Sequence, residues 1–214
     1  IDWSFKSMIK GLKICGVSDP RTLNYILSHP HPPKFIGFIT NYEKSKRFVS
    51  YENLKKLISV NKKQVKFVSV LVNPTDEILE KINNLNFDYY QLYDVNPDRT
   101  LEIKIKYNIK IISALTISNK ADVNKYKDYY KISDIILFDS KGYHKSESFD
   151  HSLLDDLPKD LNKMIAGNIQ INDIPNYKND DFIIDLSGSI ENIEGKKDLN
   201  KINKLLNLFF KNEN

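Results

Sequence analysis

Two side chains in this sequence stand where acid–base chemistry would need them. Cys15 closes the apolar run Leu12-Lys13-Ile14-Cys15, and Asp139 closes Ile135-Ile136-Leu137-Phe138-Asp139. A lone Cys is most often a small buried hydrophobe, and a loop Asp most often a helix cap. At the ends of apolar strands both admit another reading. A thiol with a lowered pKa is a base or nucleophile, and a carboxyl held against apolar surface can serve as a general acid. Two further segments have the composition of an anion site. Gly167-Asn168 and Ser187-Gly188-Ser189 offer small residues whose backbone N–H groups can approach a phosphate closely, although each is also an ordinary turn. Lys44-Ser45-Lys46-Arg47 is a basic run of the usually solvated kind, in which Arg47 could grip a carboxylate bidentately.

These residues form one site only if the fold gathers their strand ends. Short apolar runs rich in Ile, Val, Phe and Leu fall at 12–17, 35–40, 65–72, 87–93, 110–117, 134–140, 163–169 and 182–188. Several are apolar on both faces, as buried parallel strands are. Helical patterns fill the gaps, at 19–29, 50–60, 75–85, 96–108, 120–132, 149–157, 171–177 and 196–210. The first opens with a capping candidate, Asp19, followed by Pro20. Eight such units in series predict an α/β fold, a single-domain (β/α)8 TIM barrel over residues 12–210. Residues 1–11 read as an extension and lead-in, and 211–214 as a tail. Met8 could be the natural start, making residues 1–7 an extension or cloning scar. A doubly wound sheet fits less well, because the first strand–helix turn has no G-x-G-x-x-G. In such a barrel the chemistry sits at the C-terminal strand ends, and phosphate sites favour the loops after strands 7 and 8. Cys15 and Asp139, from strands 1 and 6, would face each other across that mouth.

Composition narrows the partners. In 214 residues, 32 Lys and Arg balance 28 Asp and Glu, interleaved along the chain, which is no nucleic-acid footprint. No apolar run is long enough to span a membrane, and no signal peptide is read at the N-terminus. One Cys excludes an internal disulfide or a multi-Cys metal site, and a reducing, cytoplasmic setting is the default. His29 and His31, in His-Pro-His-Pro-Pro, read as a stiff turn rather than a metal site. His144 and His151 have no ligand-spaced partner, so no metal site is read. No exposed apolar stripe is evident, so the expectation is a monomer.

The segments together resemble the phosphoribosylanthranilate isomerase family of tryptophan biosynthesis. Lys13-Ile14-Cys15-Gly16 is similar to the family's K-I-C-G. Lys44-Ser45-Lys46-Arg47-Phe48-Val49-Ser50 is similar to K-S-x-R-Y-V-S, and Val68 to Asn73 to V-G-V-F-V-N. Leu137-Phe138-Asp139-Ser140 resembles L-L-D-S, Ala166-Gly167-Asn168 resembles A-G-G, and Asp185 to Glu191 resembles D-V-S-S-G-V-E. The resemblance implies a cofactor-free Amadori rearrangement of N-(5′-phosphoribosyl)anthranilate to 1-(o-carboxyphenylamino)-1-deoxyribulose 5-phosphate. It implies Asp139 as general acid, Cys15 as general base and Arg47 on the anthranilate carboxylate. The phosphate falls to Gly167, Asn168, Ser187, Gly188, Ser189 and Ile190.

Four places depart from that pattern. Gln91-Leu92-Tyr93-Asp94 replaces Q-L-H-G, and Tyr143 to Ser146 replaces G-G-[ST]-G. Asn168 and Ser189 each replace a Gly, whose loss narrows the backbone angles available. A phosphate-ligand-binding barrel without turnover, or another phosphosugar isomerase or epimerase on this fold, are the alternative readings.

Overall fold

Alternation of side chains along each strand decides the architecture. The computed structural model describes residues 10–140, 148–177 and 181–213. Residues 1–9 of the expected extension and lead-in, and the altered segment around Tyr143 to Ser146, lie outside the described residues. The strands are β1 (Gly11–Cys15), β2 (Phe35–Ile39), β3 (Lys66–Val72), β4 (Tyr89–Tyr93), β5 (Lys110–Ile117), β6 (Ile135–Ser140), β7 (Lys163–Ile165) and β8 (Phe182–Leu186). Each pairs in parallel with the next, and β8 pairs with β1, so the sheet closes as the expected eight-stranded barrel.

Alternation then produces two cores. Leu12, Ile14, Ile36, Phe38, Phe67 and Ile184 face outward, under the helices. Cys15, Phe35, Val68, Ile112, Leu137, Met164 and Ile183 fill the interior. A barrel of this kind is a packed core rather than a pore.

Helices α1 (Pro20–Ser28), α2 (Tyr51–Leu57), α3 (Asp76–Asn83) and α4 (Pro97–Tyr107) follow the first four strands, as their patterns predict. The Asp19 carboxylate accepts the Thr22 N–H and hydroxyl, at 2.8 and 2.7 Å, which starts α1. Beyond β5 the helices shorten. The pattern at 120–132 is split into α5 (Lys120–Asn124) and α6 (Tyr126–Tyr129). The patterns at 149–157 and 171–177 become 3-10 turns, His151–Leu154 and Ile171–Tyr177. Pro175 lies inside the second, and its missing N–H prevents an α-helical ladder there.

The last helix also differs from expectation. Lys196–Lys197 form β10, antiparallel to β9 (Glu191–Ile193), so α7 is Leu199–Glu213, starting later than 196 and passing 210. Gly195 turns this hairpin at φ +85°, where an added Cβ would lie 2.6 Å from the Lys46 carbonyl oxygen. The turn holding His29 and His31 ties the first unit to the last: His29 Nε2 bonds Asn203 Oδ1 at 3.1 Å, and His31 stacks on Phe210 at 3.5 Å. No described helix is long and apolar enough to cross a membrane.

One polar feature interrupts the interior. Lys13 is fully buried, and its Nζ donates to Asp185 Oδ2 at 2.8 Å. The two residues are direct register partners on β1 and β8. Gly37 on β2 makes room for them, since a Cβ there would sit 2.9 Å from Cys15 Sγ and 3.2 Å from Lys13 Nζ. Removing one partner of a buried pair leaves an uncompensated charge. Lys13→Met is therefore expected to cost about 3–5 kcal/mol in urea denaturation, and Lys13→Met with Asp185→Leu much less than that. Equal losses in the single and double variants would show that the pair does not carry this energy.

Candidate active site

The turn after β1 begins the site. Gly16 has φ +78°, and a Cβ there would run into the Arg47 side chain. Only glycine lets the chain leave Cys15 while Arg47 lies across it. Cys15 is 8% exposed, at the floor of a cavity of about 660 Å³. That cavity is also lined by Arg47, Tyr93, Asp139, Gly167, Asn168, Asp185, Ser187, Gly188, Ser189 and Glu191. Of the residues expected to form the site, only Ile190 is not on its wall. Ile190 is fully buried, and its N–H donates to the Ser187 carbonyl.

Desolvation and hydrogen bonding set the acid–base character. Burial raises the Cys15 thiol, against the opposing charge of Lys13. Burial would lower Lys13, but the charges of Asp185 and Cys15 outweigh it and keep the ammonium charged. Asp139 is pushed up to about 6, chiefly by burial, while a hydrogen bond from Tyr93 opposes the rise. Tyr93 Oη donates to Asp139 Oδ2 at 2.8 Å, and the Ser140 N–H donates to Asp139 Oδ1 at 2.8 Å. Asp139 is thus a carboxyl that can hold a proton near neutrality, as an acid catalyst must.

Arg47 differs from its expected state. Its Nε and Nη2 donate to the two carboxylate oxygens of Glu191, each at 2.8 Å. Glu191 is further held by Lys197 Nζ at 2.6 Å and the Gly195 N–H at 2.9 Å. Burial would raise the Glu191 carboxyl, but these donors bring it down to about 2. One edge of the guanidinium is therefore committed to the protein, and a carboxylate in the cavity would meet the other edge.

The expected anion loops lie together. Gly167 and Asn168 both have positive φ, +96° and +54°. Gln170 Nε2 braces the turn by donating to Asn168 O and Oδ1, at 3.0 and 2.8 Å. Ser189 lies in the 3-10 turn Gly188–Ile190 and outside the left-handed region, so the lost glycine costs nothing there. Its Oγ is buried without a hydrogen-bond partner.

Lys13, Tyr93, Asp185, Glu191 and Lys197 carry no role of their own in the sequence reading. A usable signal was present: Lys13 and Asp185 are opposite charges inside apolar strands, where an unpaired charge is untenable. Among the described residues, no group of three or more His, Cys, Asp or Glu could hold a metal ion.

Comparison with known proteins places this geometry. The sequence model described as N-(5′phosphoribosyl)anthranilate (PRA) isomerase matches residues 12–208. The N-(5′-phosphoribosyl)anthranilate isomerase of Rhizobium rhizogenes is 31% identical over 204 residues, covering 90% of each chain. That of Staphylococcus haemolyticus is 33% identical over 202 residues, covering 89% of this chain and 94% of its own. A solved phosphoribosyl anthranilate isomerase in complex with reduced 1-(o-carboxyphenylamino)-1-deoxyribulose 5-phosphate superposes with a TM-score of 0.79 at 25% identity. It covers 94% of this chain and 97% of its own. With most of its length matched, from the first strand to the last helix, the chain belongs to the N-(5′-phosphoribosyl)anthranilate isomerase family.

Proposed function

We propose that the protein isomerises N-(5′-phosphoribosyl)anthranilate to 1-(o-carboxyphenylamino)-1-deoxyribulose 5-phosphate. The observation that carries this reading is one cavity holding a carboxyl near its working pKa, a thiol and a Gly/Ser anion loop. Asp139 gives its proton to the ribose ring oxygen as the C1′–O bond breaks, and the anilino nitrogen's lone pair forms the iminium. The Cys15 thiolate removes the C2′ proton, and the C2′–H electrons become the C1′=C2′ bond of the enolamine. Tautomerisation then gives the ketone. The phosphate lies against Gly167, Asn168, Ser187, Gly188 and Ser189, where Ser189 Oγ has a hydrogen bond to give. The aromatic ring lies against Ile39, Val70 and Val72, with its carboxylate toward Arg47. The protein works as a monomer on this small phosphorylated substrate.

Acid–base groups contribute about 10²–10⁴-fold. Cys15→Ala and Asp139→Asn should each lower turnover by about that factor. The check is the loss of anthranilate-type fluorescence from freshly formed substrate. A folded wild type that leaves the fluorescence unchanged would return the molecule to the ligand-binding reading, and a fully active Cys15→Ala would remove the thiol from the mechanism.

The pH profile follows from the same two groups. The productive form carries one proton, on Asp139, with Cys15 as thiolate. Its share of the singly protonated enzyme does not depend on pH, so activity falls only when that proton count changes. The acidic limb of kcat/KM is expected near pH 6, where a second proton binds, with an alkaline limb above the ordinary thiol range. A profile flat from pH 5 to 7 would contradict this assignment.

A further inference from the structure

We propose that Tyr93 is a positioning residue for Asp139, fixing the direction of its carboxyl and restraining its proton affinity. The inference rests on Asp139 being the acid. Tyr93 ends β4 and Asp139 lies near the end of β6, with β5 between them, so the phenol reaches across the inside of the mouth. The contact is a single short bond, Tyr93 Oη to Asp139 Oδ2 at 2.8 Å. Its polarity is set from behind. Gln91 is fully buried, and its Nε2 donates to Tyr93 Oη at 3.3 Å. The acceptor side of the phenol is thereby used, and its own proton points at Asp139.

Burial, followed by the nearby charge of Asp139, pushes the Tyr93 hydroxyl well above its ordinary pKa. It therefore remains a donor throughout the working range. A donor to a carboxylate stabilises the charged form and orients the group. The Ser140 N–H pins the other oxygen, so the carboxyl plane is fixed from two sides. The lone pairs left over are those from which a proton can pass into the cavity.

Other groups act on Asp139 as well. Asp185 on β8 raises its proton affinity, Lys13 on β1 lowers it, and Cys15 stands beside Lys13 on β1. Thr116 on β5 is its register partner. All of these remain when only the phenol oxygen is removed.

Tyr93→Phe keeps the ring that fills the interior and deletes the donor. The acidic limb of kcat/KM should move up by about one pH unit. A fluorinated tyrosine at position 93 is a stronger donor and should move the limb down. The substrate phosphate titrates in the same range but is common to all three proteins, so the differences read Asp139 alone. A carbon-13 titration of labelled Asp carboxyls, with Asp139 assigned by its loss in Asp139→Asn, reads the same shifts without turnover. Opposite shifts in the two variants support the positioning role. A uniform loss of activity or of thermal stability, with limb and carboxyl titration unmoved, overturns it. An inactive wild type would instead overturn the isomerase reading, while the carboxyl titration would still decide the role of Tyr93.

Discussion

The closure of this barrel rests on one buried ion pair, Lys13 with Asp185. An ammonium sealed in a protein interior is untenable without a counter-charge, so β1 and β8 have one acceptable register. That register closes the sheet. It also fixes what lies one pleat further on, because residues i and i+2 share a face of a strand. Cys15 follows Lys13, and Ser187 follows Asp185. Ser187 Oγ donates to the Cys15 carbonyl at 3.1 Å, joining the two strand ends just above the pair. The same ammonium stands by the thiol and favours its ionised form, against a burial that does the opposite. Closure of the fold and the electrostatics of the Cys15 thiol thus draw on one interaction.

A second charge cluster organises the rim. Glu191 receives Arg47 from the loop after β2 and Lys197 from β10, while the Glu191 carbonyl accepts Lys201 Nζ at 2.6 Å. A bidentate guanidinium cannot swing without losing two charge-assisted bonds at once. Arg47 is thereby held over Cys15 before any substrate arrives. Freezing a long side chain in advance removes an entropy cost that binding would otherwise have to meet.

The barrel was legible because its strands are continuous apolar runs, a pattern peculiar to sheets covered on both faces. The first four helices were legible from their caps and spacing. The one after β6 was not, since Leu153, Leu154 and Leu157 give a helix-like stripe although only a 3-10 turn, His151–Leu154, forms there. Lys196 and Lys197 look like the polar start of a helix, and only the buried Glu191 explains why they form a hairpin instead. In the site, Cys15 and Asp139 could be found because strand ends limit the choice. The occupied edge of Arg47 could not be read, because its partner is distant in sequence and joined to it only by folding. Tyr93 was visible only as a departure from the family segment, because its contact with Asp139 needs the inward face of β4 aimed at β6.

The departures from the family pattern show how a loop tolerates losing glycine. Asp94 and Asn168 stand where the pattern has glycine, and both occupy the left-handed region, at φ +55° and +54°. Asp and Asn are the side chains that tolerate that region best, through local hydrogen bonds. Ser189 also replaces a glycine, yet its backbone lies in a 3-10 turn that any residue can adopt. The side chain therefore brings no strain, and its hydroxyl lies buried without a hydrogen-bond partner. The type of replacement follows the backbone at each position. At 94 and 168 the chain keeps the left-handed conformation, and at 168 the side-chain oxygen also accepts a bond from Gln170 Nε2. At 189 the conformation is undemanding, and a serine is accommodated with no backbone cost.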